Sequence, residues 1–464
     1  MKFFPVIAAL AAVAALAGCN SNSVTVPPPT LAPSTPIQHV VILMQENRSF
    51  NNIFAGFPGA TSALVGKCER TPWCKTGKAT LKPVTLETTN QLGLGTDIDH
   101  SHNGFKIECD FDKSTQMCRN DGFDKIRFGE SGIGERAKLY PYAYIERSES
   151  KPYWDFAKHY ALSDDIFFTD TASSFIAHQI ILSGTVALNS HESLTDQPDA
   201  QPWGCDAPKG TTTPVLFKDG REKFNGPFPC FTQYQTIADL LDAKKVSWTF
   251  YVAPFQGKDA DFSGGVWNGW DAIKKIRYSH DWNVNISRPN TNLFSDLKSG
   301  NLSSVSWVIP ILADSDHPAS GCNHGPRWVT SVMNAIGQSK YWNSTAVILL
   351  WDDWGGWYDP VPPPQINYTS LGFRVPMVVV SPWVHAGSVV HTQYQFGSIL
   401  RFIEDTWNLG SLGTTDATST SIGDMFDYTQ KPLPYNPEPL PHIKSCTGNP
   451  NASEIIEHDG GVPE

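Results

Sequence analysis

Residues 345–364 (TAVILLWDDWGGWYDPVPPP) constrain the fold of this chain more than any other stretch. Residues 346–351 form an uninterrupted apolar run, which is typical of a short strand buried on both faces. Asp352 and Asp353 follow at once, and two glycines then interrupt the chain. A buried strand that ends in paired carboxylates is predicted to hold a cation or to take part in acid–base chemistry. The alternative is a polar junction in which one carboxylate caps a turn.

Two other predicted strands also lead into polar side chains. Strand 39–44 precedes Glu46 and Asn47, whose oxygens suit a hard cation, although they could instead cap a helix. Strand 305–310 precedes His317. Ligands of open α/β sheets bind beyond the carboxyl ends of the strands. We therefore expect these groups to meet the Asp pair at one sheet edge.

Strands and helices alternate through the second half of the chain. Further strands are predicted at 246–252 and 375–380, and helices at 236–245, 328–336 and 398–407. This alternation predicts an α/β fold with a largely parallel central sheet, flanked by helices and carrying long loop insertions.

Hydroxyl and imidazole groups supply candidate catalytic residues. Ser173 and Ser174 stand just before an apolar helical stretch. A serine there caps the helix, or it acts as a nucleophile whose phosphoryl target faces the helix N-terminus. His100 and His102 lie in the polar run 97–102, which taken alone is typical of a solvated loop.

The charge of the chain excludes one class of partner. The 464 residues carry a net charge of −11 and give a pI of about 5.6. Nucleic acid is therefore not expected as a partner, because its phosphate backbone requires a basic face. A phosphate-containing substrate is still compatible with this charge, since a bound metal reverses the local field.

The N-terminus has the form of an export signal. Lys2 precedes an apolar run over residues 3–16, and Leu-Ala-Gly-Cys at 16–19 is similar to a bacterial lipobox. This predicts a signal peptide over 1–18 and a lipid anchor on Cys19, in an exported lipoprotein of the outer membrane or periplasm. The alternative is an ordinary signal peptide with an incidental cysteine.

Two further segments complete the predicted organisation. Residues 19–36 are rich in Pro and Ser and predict a disordered tether. Residues 37–464 predict one catalytic domain with a Pro-rich C-terminal tail. Eight cysteines besides Cys19 indicate disulfides in an exported chain. The predicted pairs are 68–74, 109–118, 205–230 and 322–446.

The polar segments together resemble the bacterial phosphoesterase family of non-haemolytic phospholipases C and related acid phosphatases. The resemblance runs from about His39 to about Asp427. The matching segments are ENRSFN at 46–51, ASSFIAH at 172–178, SGT at 183–185, DHP at 316–318, WDDWGGWYDPVPPP at 351–364, and RVP, SPW, HTQY and SILRFIE between 374 and 404.

This resemblance implies an alkaline-phosphatase-like core and a role for each matching residue. Glu46, Asn47, Asp352 and Asp353 match the ligands of one divalent metal ion, and Ser174 matches a nucleophile that also touches the metal. Mg²⁺, Ca²⁺, Mn²⁺ and Zn²⁺ all remain open. His317 matches a histidine that binds the phosphate or protonates the leaving group. His100, or as a second choice His102, matches an early active-site histidine at a looser spacing.

The sequence departs from the family pattern in four places, of which Asn51 and Gln395-Phe396 are the milder two. Pro360 replaces a histidine, and Ala172, Ser173, Ile176 and Ala177 replace the family's Gly-Pro and Pro-Asn around the nucleophile. These departures leave the choice of substrate open.

The resemblance implies a phosphoric ester hydrolase of acid phosphatase type, a phosphomonoesterase that works through a phosphoserine. A first alternative is a phospholipase C that cleaves phospholipid head-group phosphodiesters. A second is a catalytically weak surface lipoprotein that binds a phosphorylated ligand. The expected substrate is thus a phosphate monoester or a phospholipid.

Overall fold

The structure is a computed structural model that describes residues 35–90, 97–129, 132–364 and 370–442. The predicted signal peptide, Cys19 and most of the predicted tether lie outside the described residues, so the domain division and the lipid anchor stay predictions. Among the described residues, no helix is long and apolar enough to cross a membrane.

An eight-stranded sheet forms the centre of the fold. In chain order its strands are β1 His39–Gln45, β2 Ala161–Ser163, β3 Trp248–Tyr251, β4 Ile286–Ser287, β5 Val305–Val308, β6 Thr345–Trp351, β7 Met377–Val380 and β8 Ser388–Val390. Across the sheet the order is β4-β3-β5-β1-β6-β7-β2-β8. Every neighbouring pair is parallel except the two that contain β7. The predicted α/β fold with a largely parallel sheet is confirmed.

Eight helices of five or more residues accompany this sheet in the described part of the chain. They are α1 Phe50–Phe54, α2 His102–Cys109, α3 Lys151–His159, α4 Ser174–Ser183, α5 Ile237–Ala243, α6 Asn292–Ser299, α7 Gly325–Gly337 and α8 Phe396–Trp407. The three predicted helices correspond to α5, α7 and α8. All ten residues of α4 are buried, as its apolar sequence requires.

Three of the four predicted disulfides are present, Cys68–Cys74, Cys109–Cys118 and Cys205–Cys230. Cys322 is also disulfide-bonded, but its predicted partner Cys446 lies outside the described residues. The tail packs along α7, where the amide of Asn334 donates to Glu438 O at 2.8 Å and Arg327 donates to Pro441 O at 3.1 Å.

A buried ion pair ties the loop after β6 to the start of β7. Arg374 donates from Nε and Nη2 to the two carboxylate oxygens of Asp359, at 2.9 and 3.1 Å, and both side chains are fully buried. Asp359 also accepts from the backbone N–H groups of Asn51 and Val361. The ion pair therefore joins α1, which follows Glu46 and Asn47, to the part of the chain that follows Asp352 and Asp353.

Three buried carboxyl groups lie in the loops around the carboxyl edge of the sheet. Burial raises the pKa of Asp99 to about 7, of Asp170 to about 8 and of Asp196 to about 7. Asp99 accepts hydrogen bonds from the backbone N–H and hydroxyl of Ser101, and Asp196 accepts one from the backbone N–H of His102. Asp99 and Asp196 therefore hold the segment that carries the two candidate histidines.

We expect Arg374→Met to lower the free energy of unfolding by about 3–5 kcal/mol, because it leaves the Asp359 carboxylate buried without its cation. Equilibrium denaturation with urea measures the loss. The matched control is Arg401→Met, because the exposed pair of Arg401 with Asp405 is worth less than about 1 kcal/mol. Equal losses in the two variants would contradict the structural role of the buried pair.

We expect the free energy of unfolding to fall as pH rises from about 5 to about 8, because the raised pKa values make the folded state bind more protons than the unfolded chain. Asp99→Asn keeps an oxygen acceptor for Ser101 and removes one titrating carboxyl group. The free energy of unfolding of this variant should therefore fall less steeply with pH than that of the wild type. Denaturation in EDTA across this range measures the slope. Asp219→Asn, whose exposed carboxyl has a pKa below its usual range, should keep the wild-type slope.

Candidate active site

The carboxyl ends of β1 and β6 bring four of the predicted metal ligands together. The two strands are parallel neighbours, and Gln45 pairs with Trp351 at the end of the ladder. Glu46 and Asn47 therefore lie beside Asp352 and Asp353, and all four residues are fully buried. The backbone N–H of Asn47 donates to Asp352 Oδ1 at 2.8 Å, which joins the two strand ends directly.

The two glycines behind the Asp pair let the backbone pass close to Asn47. The N–H of Gly355 donates to Asp353 Oδ1 at 2.7 Å and orients that carboxylate. Gly355 has a φ of +60°, and a Cβ there would lie 2.2 Å from the carbonyl oxygen of Asn47. Both the conformation and the close approach therefore require glycine at this position.

Ser174 is the first residue of α4, and its side chain faces these groups. Its Oγ lies 3.2 Å from Asp353 Oδ2 and 3.3 Å from Asn47 Oδ1, and the residue is 3% exposed. The hydroxyl of Ser173 instead donates to Gln197 at 2.9 Å. Of the two serines that the sequence offers, Ser174 is the one beside the predicted metal ligands.

His178 joins the same cluster, and no role for it was predicted from the sequence. It lies one helical turn after Ser174, and its Nε2 is 3.2 Å from Glu46 Oε1. Ligand atoms of Glu46, His178 and Asp352 all lie within 4.8 Å of one another, and the three residues are buried. The four-residue spacing from Ser174 on a predicted helix was the signal that could have found it.

The chemistry of this cluster fits a divalent cation. Burial and the neighbouring Asp352 raise the pKa of Asp353 well above its usual range. Asp352 Oδ2 has no hydrogen-bond partner among the described residues, and no described lysine or arginine forms an ion pair with either aspartate. Adjacent buried carboxylates without a cation are costly, so carboxylate, amide, hydroxyl and imidazole ligands here suit a metal ion.

His100 contacts the cluster through Asn47. Its Nδ1 lies 2.6 Å from Ile98 O, and its Nε2 lies 3.0 Å from Asn47 Nδ2. This pattern fits a neutral ring that donates from Nδ1 and accepts at Nε2. The contact turns the amide oxygen of Asn47 toward Ser174. His100 therefore orients a predicted ligand.

His102 and His317 make no described hydrogen bond to Ser174 or to the predicted ligands. His102 Nδ1 lies 2.7 Å from Thr171 Oγ1, and burial lowers the pKa of His102 to about 4. The His317 ring lies 5.8 Å from the ring of Trp267, which in turn stacks 6.4 Å from His178. Trp267 is therefore the common aromatic neighbour of the His178 and His317 imidazoles.

A network around Asp316 holds the loop of His317. The Asp316 carboxylate accepts from Tyr153 OH at 2.8 Å and from Trp351 Nε1 at 3.1 Å. Its backbone carbonyl accepts from Arg48 Nε and Nη2 at 2.8 and 2.6 Å. Arg48 follows the β1 ligands and Trp351 precedes the β6 ligands, so the loop of His317 is fixed to both strand ends.

Comparison with known proteins gives matches over most of the chain. A model of the phosphoesterase family matches residues 37–410. The non-hemolytic phospholipase C of Burkholderia pseudomallei is 27% identical over 418 residues, which cover 80% of this chain and 55% of that protein. Phospholipase C B of Mycobacterium tuberculosis is 26% identical over 471 residues, which cover 89% of this chain and 84% of that protein.

Solved structures are more distant. A protein in the alkaline phosphatase superfamily from Vibrio parahaemolyticus is 10% identical, covers 59% of this chain and 65% of its own, and has a TM-score of 0.31. The family description and the names of the relatives support the predicted enzyme class, a phosphoric ester hydrolase. The match over residues 37–410 confirms the family predicted from the motifs, and the chain belongs to the phosphoesterase family.

Proposed function

We propose that this protein hydrolyses phosphate esters with a divalent metal ion and through a phosphoserine at Ser174. The observation that carries the proposal is the position of the Ser174 hydroxyl between Asp353 Oδ2 and Asn47 Oδ1, at the N-terminus of α4. A hydroxyl beside buried carboxylates has a proton acceptor within reach, and a helix N-terminus favours the negative charge of a phosphoryl group.

The side chains divide the proposed reaction between them. Ser174 Oγ attacks phosphorus, its proton passes to Asp353, and the ester oxygen leaves as an alcohol. His317 is the proposed donor of the proton to that leaving group, and water then hydrolyses the phosphoserine. A divalent cation would be held by Glu46, Asn47, Asp352, Asp353 and Ser174, and in our proposal also by His178. When bound, it would supply charge that polarises a phosphoryl oxygen and favours the ionised serine.

We propose a phosphomonoesterase of acid phosphatase type, because the phospholipase branch of the family tends to carry threonine at the position of Ser174. A phospholipase C is the second candidate, and the names of the two bacterial relatives favour it. The two candidates share the same site residues and differ in whether the substrate is a monoester or a diester.

We expect Ser174→Ala to lower kcat on p-nitrophenyl phosphate by a factor on the order of 10³ or more, because it removes the nucleophile. Steady-state release of p-nitrophenol after metal is added back to EDTA-treated protein measures this. Ser173→Ala is the matched control and should change kcat by less than about fivefold, because its hydroxyl faces Gln197.

The same assay with p-nitrophenyl phosphorylcholine distinguishes the two candidate substrates. Faster release from the monoester, lost in Ser174→Ala, supports the phosphatase. Faster release of p-nitrophenol from the choline diester, lost in the same variant, supports phospholipase C activity instead. Silence on both substrates with every metal contradicts an active esterase and favours the role of a phospho-ligand-binding lipoprotein.

We expect Mn²⁺ or Zn²⁺ to raise the thermal midpoint of the EDTA-treated protein, because a bound ion at 100 times its Kd adds about 2.7 kcal/mol of stability. Asp352→Asn should abolish most of this gain. His178→Gln should weaken Zn²⁺ more than Mg²⁺, because imidazole suits zinc better than magnesium. Differential scanning fluorimetry across a metal titration measures these effects.

His391→Gln is the control, because this exposed histidine pairs with Asp164 away from the cluster. It should keep the wild-type response to each metal. A wild-type midpoint that no metal moves would contradict the proposed cation. An unchanged Zn²⁺ response in His178→Gln would show that His178 only hydrogen-bonds Glu46.

A further inference from the structure

A small cavity is lined by none of the residues of the candidate active site. It encloses about 260 Å³. Its lining consists of Pro202, Asp206, Pro254, Phe255, Gln256, Gly264, Asn268, Asp271, Trp282 and Arg288. The apolar residues of this lining are prolines, a phenylalanine and a tryptophan. Its charged residues are the acidic Asp206 and Asp271 and the basic Arg288. Ligand pockets commonly enclose about 300–1,000 Å³, so this cavity suits a small molecule.

Two guanidinium groups lie close to an indole ring in the cavity wall. Arg277 and Arg288 stand over the Trp282 ring, with their Cζ atoms 4.6 and 4.4 Å from its centroid. Arg277 already pairs with Asp206 at 2.7 Å and with Asp271 at 3.2 Å. Among the described residues, the guanidinium of Arg288 forms no ion pair and donates no hydrogen bond. Arg288 is partly buried, and burial lowers its pKa.

A buried amide in the same lining also lacks a partner. Asn268 is 3% exposed, and its Oδ1 accepts no hydrogen bond from the described residues. Its backbone carbonyl accepts from Asp271 N at 2.9 Å, which holds the residue in place. A buried acceptor without a donor costs about 1–3 kcal/mol, so a ligand that brings a hydroxyl gains from this position.

Arg288 is the charged group of the lining whose guanidinium donates no hydrogen bond to the described residues. Arg277 pairs with both Asp206 and Asp271, and these two carboxylates together balance the charges of Arg277 and Arg288. The backbone N–H of Cys205 donates to Asp271 O at 2.8 Å, and Cys205 is itself in a disulfide with Cys230. The acidic side of the cavity is therefore fixed before a ligand arrives, which lowers the entropy cost of binding.

We propose that this cavity binds a small hydroxylated anion, a phosphate or carboxylate group on a short polyol chain. Arg288 presents its guanidinium edge to the anionic group, with its face held on Trp282. Asn268 Oδ1 accepts from a hydroxyl of the ligand, and Phe255 packs on the carbon chain. This inference goes beyond the proposed function and does not depend on it.

The cavity and the candidate active site share one chain segment. The ring of Trp267 contacts His178 and His317, and the next residue, Asn268, lines the cavity. A ligand on Asn268 therefore binds to the segment that places an aromatic wall against both histidines.

Isothermal titration calorimetry on the EDTA-treated full chain tests the proposal without turnover, with four probes. Glycerol 3-phosphate and glycerate carry both an anion and hydroxyls, inorganic phosphate carries only the anion, and glycerol carries only hydroxyls. We expect glycerol 3-phosphate or glycerate to bind about tenfold more tightly than the two partial probes, because a hydrogen bond to the guanidinium, or satisfaction of the buried Asn268 acceptor, contributes on that scale. The tighter of the two shows whether phosphate or carboxylate is preferred.

Three variants connect this binding to the named residues. Arg288→Met should abolish it, and Arg288→Lys should weaken it about tenfold because lysine lacks the planar fork. Asn268→Leu should bind glycerol 3-phosphate no better than inorganic phosphate. Arg401→Met, whose arginine pairs with Asp405 on α8, should bind as wild type does. Circular dichroism checks that each variant folds. If Arg288→Met does not fold, the affinity of Arg288→Lys for glycerol 3-phosphate tests the proposal instead.

Two results would overturn the proposal. One is the absence of binding by glycerol 3-phosphate and glycerate in the millimolar range. The other is wild-type affinity in the folded Arg288 variants, which would move any binding to another site. Either result leaves the proposed hydrolysis at Ser174 unaffected, because no step of it uses Arg288 or Asn268.

Discussion

The parallel pairing of β1 with β6 is the interaction on which the rest of the candidate site depends. Seven consecutive residues of each strand are in register, and the ladder ends at Gln45 and Trp351. A slip of one residue would turn every side chain of one strand to the opposite face of the sheet. The register therefore decides that Glu46 and Asn47 face Asp352 and Asp353. The apolar runs that form the two strands are what hold the polar groups together.

That arrangement places charge where water cannot reach it, and the neighbouring loops reduce the cost through hydrogen bonds. Arg48 is fully buried, yet its partners are neutral oxygens of Asp316, Thr89 and Asn90. Its positive charge therefore stabilises the loops around the cluster and forms no ion pair with Glu46, Asp352 or Asp353. A cation-binding site gains from this division, because a nearby arginine would compete with the metal for the same oxygens.

Strand ends could be predicted from the sequence because apolar runs and the polar groups behind them are local features. This is why Glu46, Asn47, Asp352 and Asp353 could be predicted as one polar group, whereas the choice of Ser174 over Ser173 depended on the family resemblance. The contact of His178 with Glu46 depends on where α4 crosses the sheet, which no local pattern specifies. The contact of His102 with Thr171 joins two distant loops. The short strands β2, β4 and β8 have two or three residues each, too few for a periodic signal.

The placement of Ser174 and His178 on one buried helix has a consequence for how this site can change during evolution. The two side chains are four residues apart, so backbone geometry sets their axial separation at about 6 Å. Core substitutions against α4 can translate or tilt the helix, but they move the hydroxyl and the imidazole as one body. The strand-end carboxylates belong to a different element. Divergence can therefore adjust the distance between these two halves of the site in small steps while each half keeps its own internal geometry.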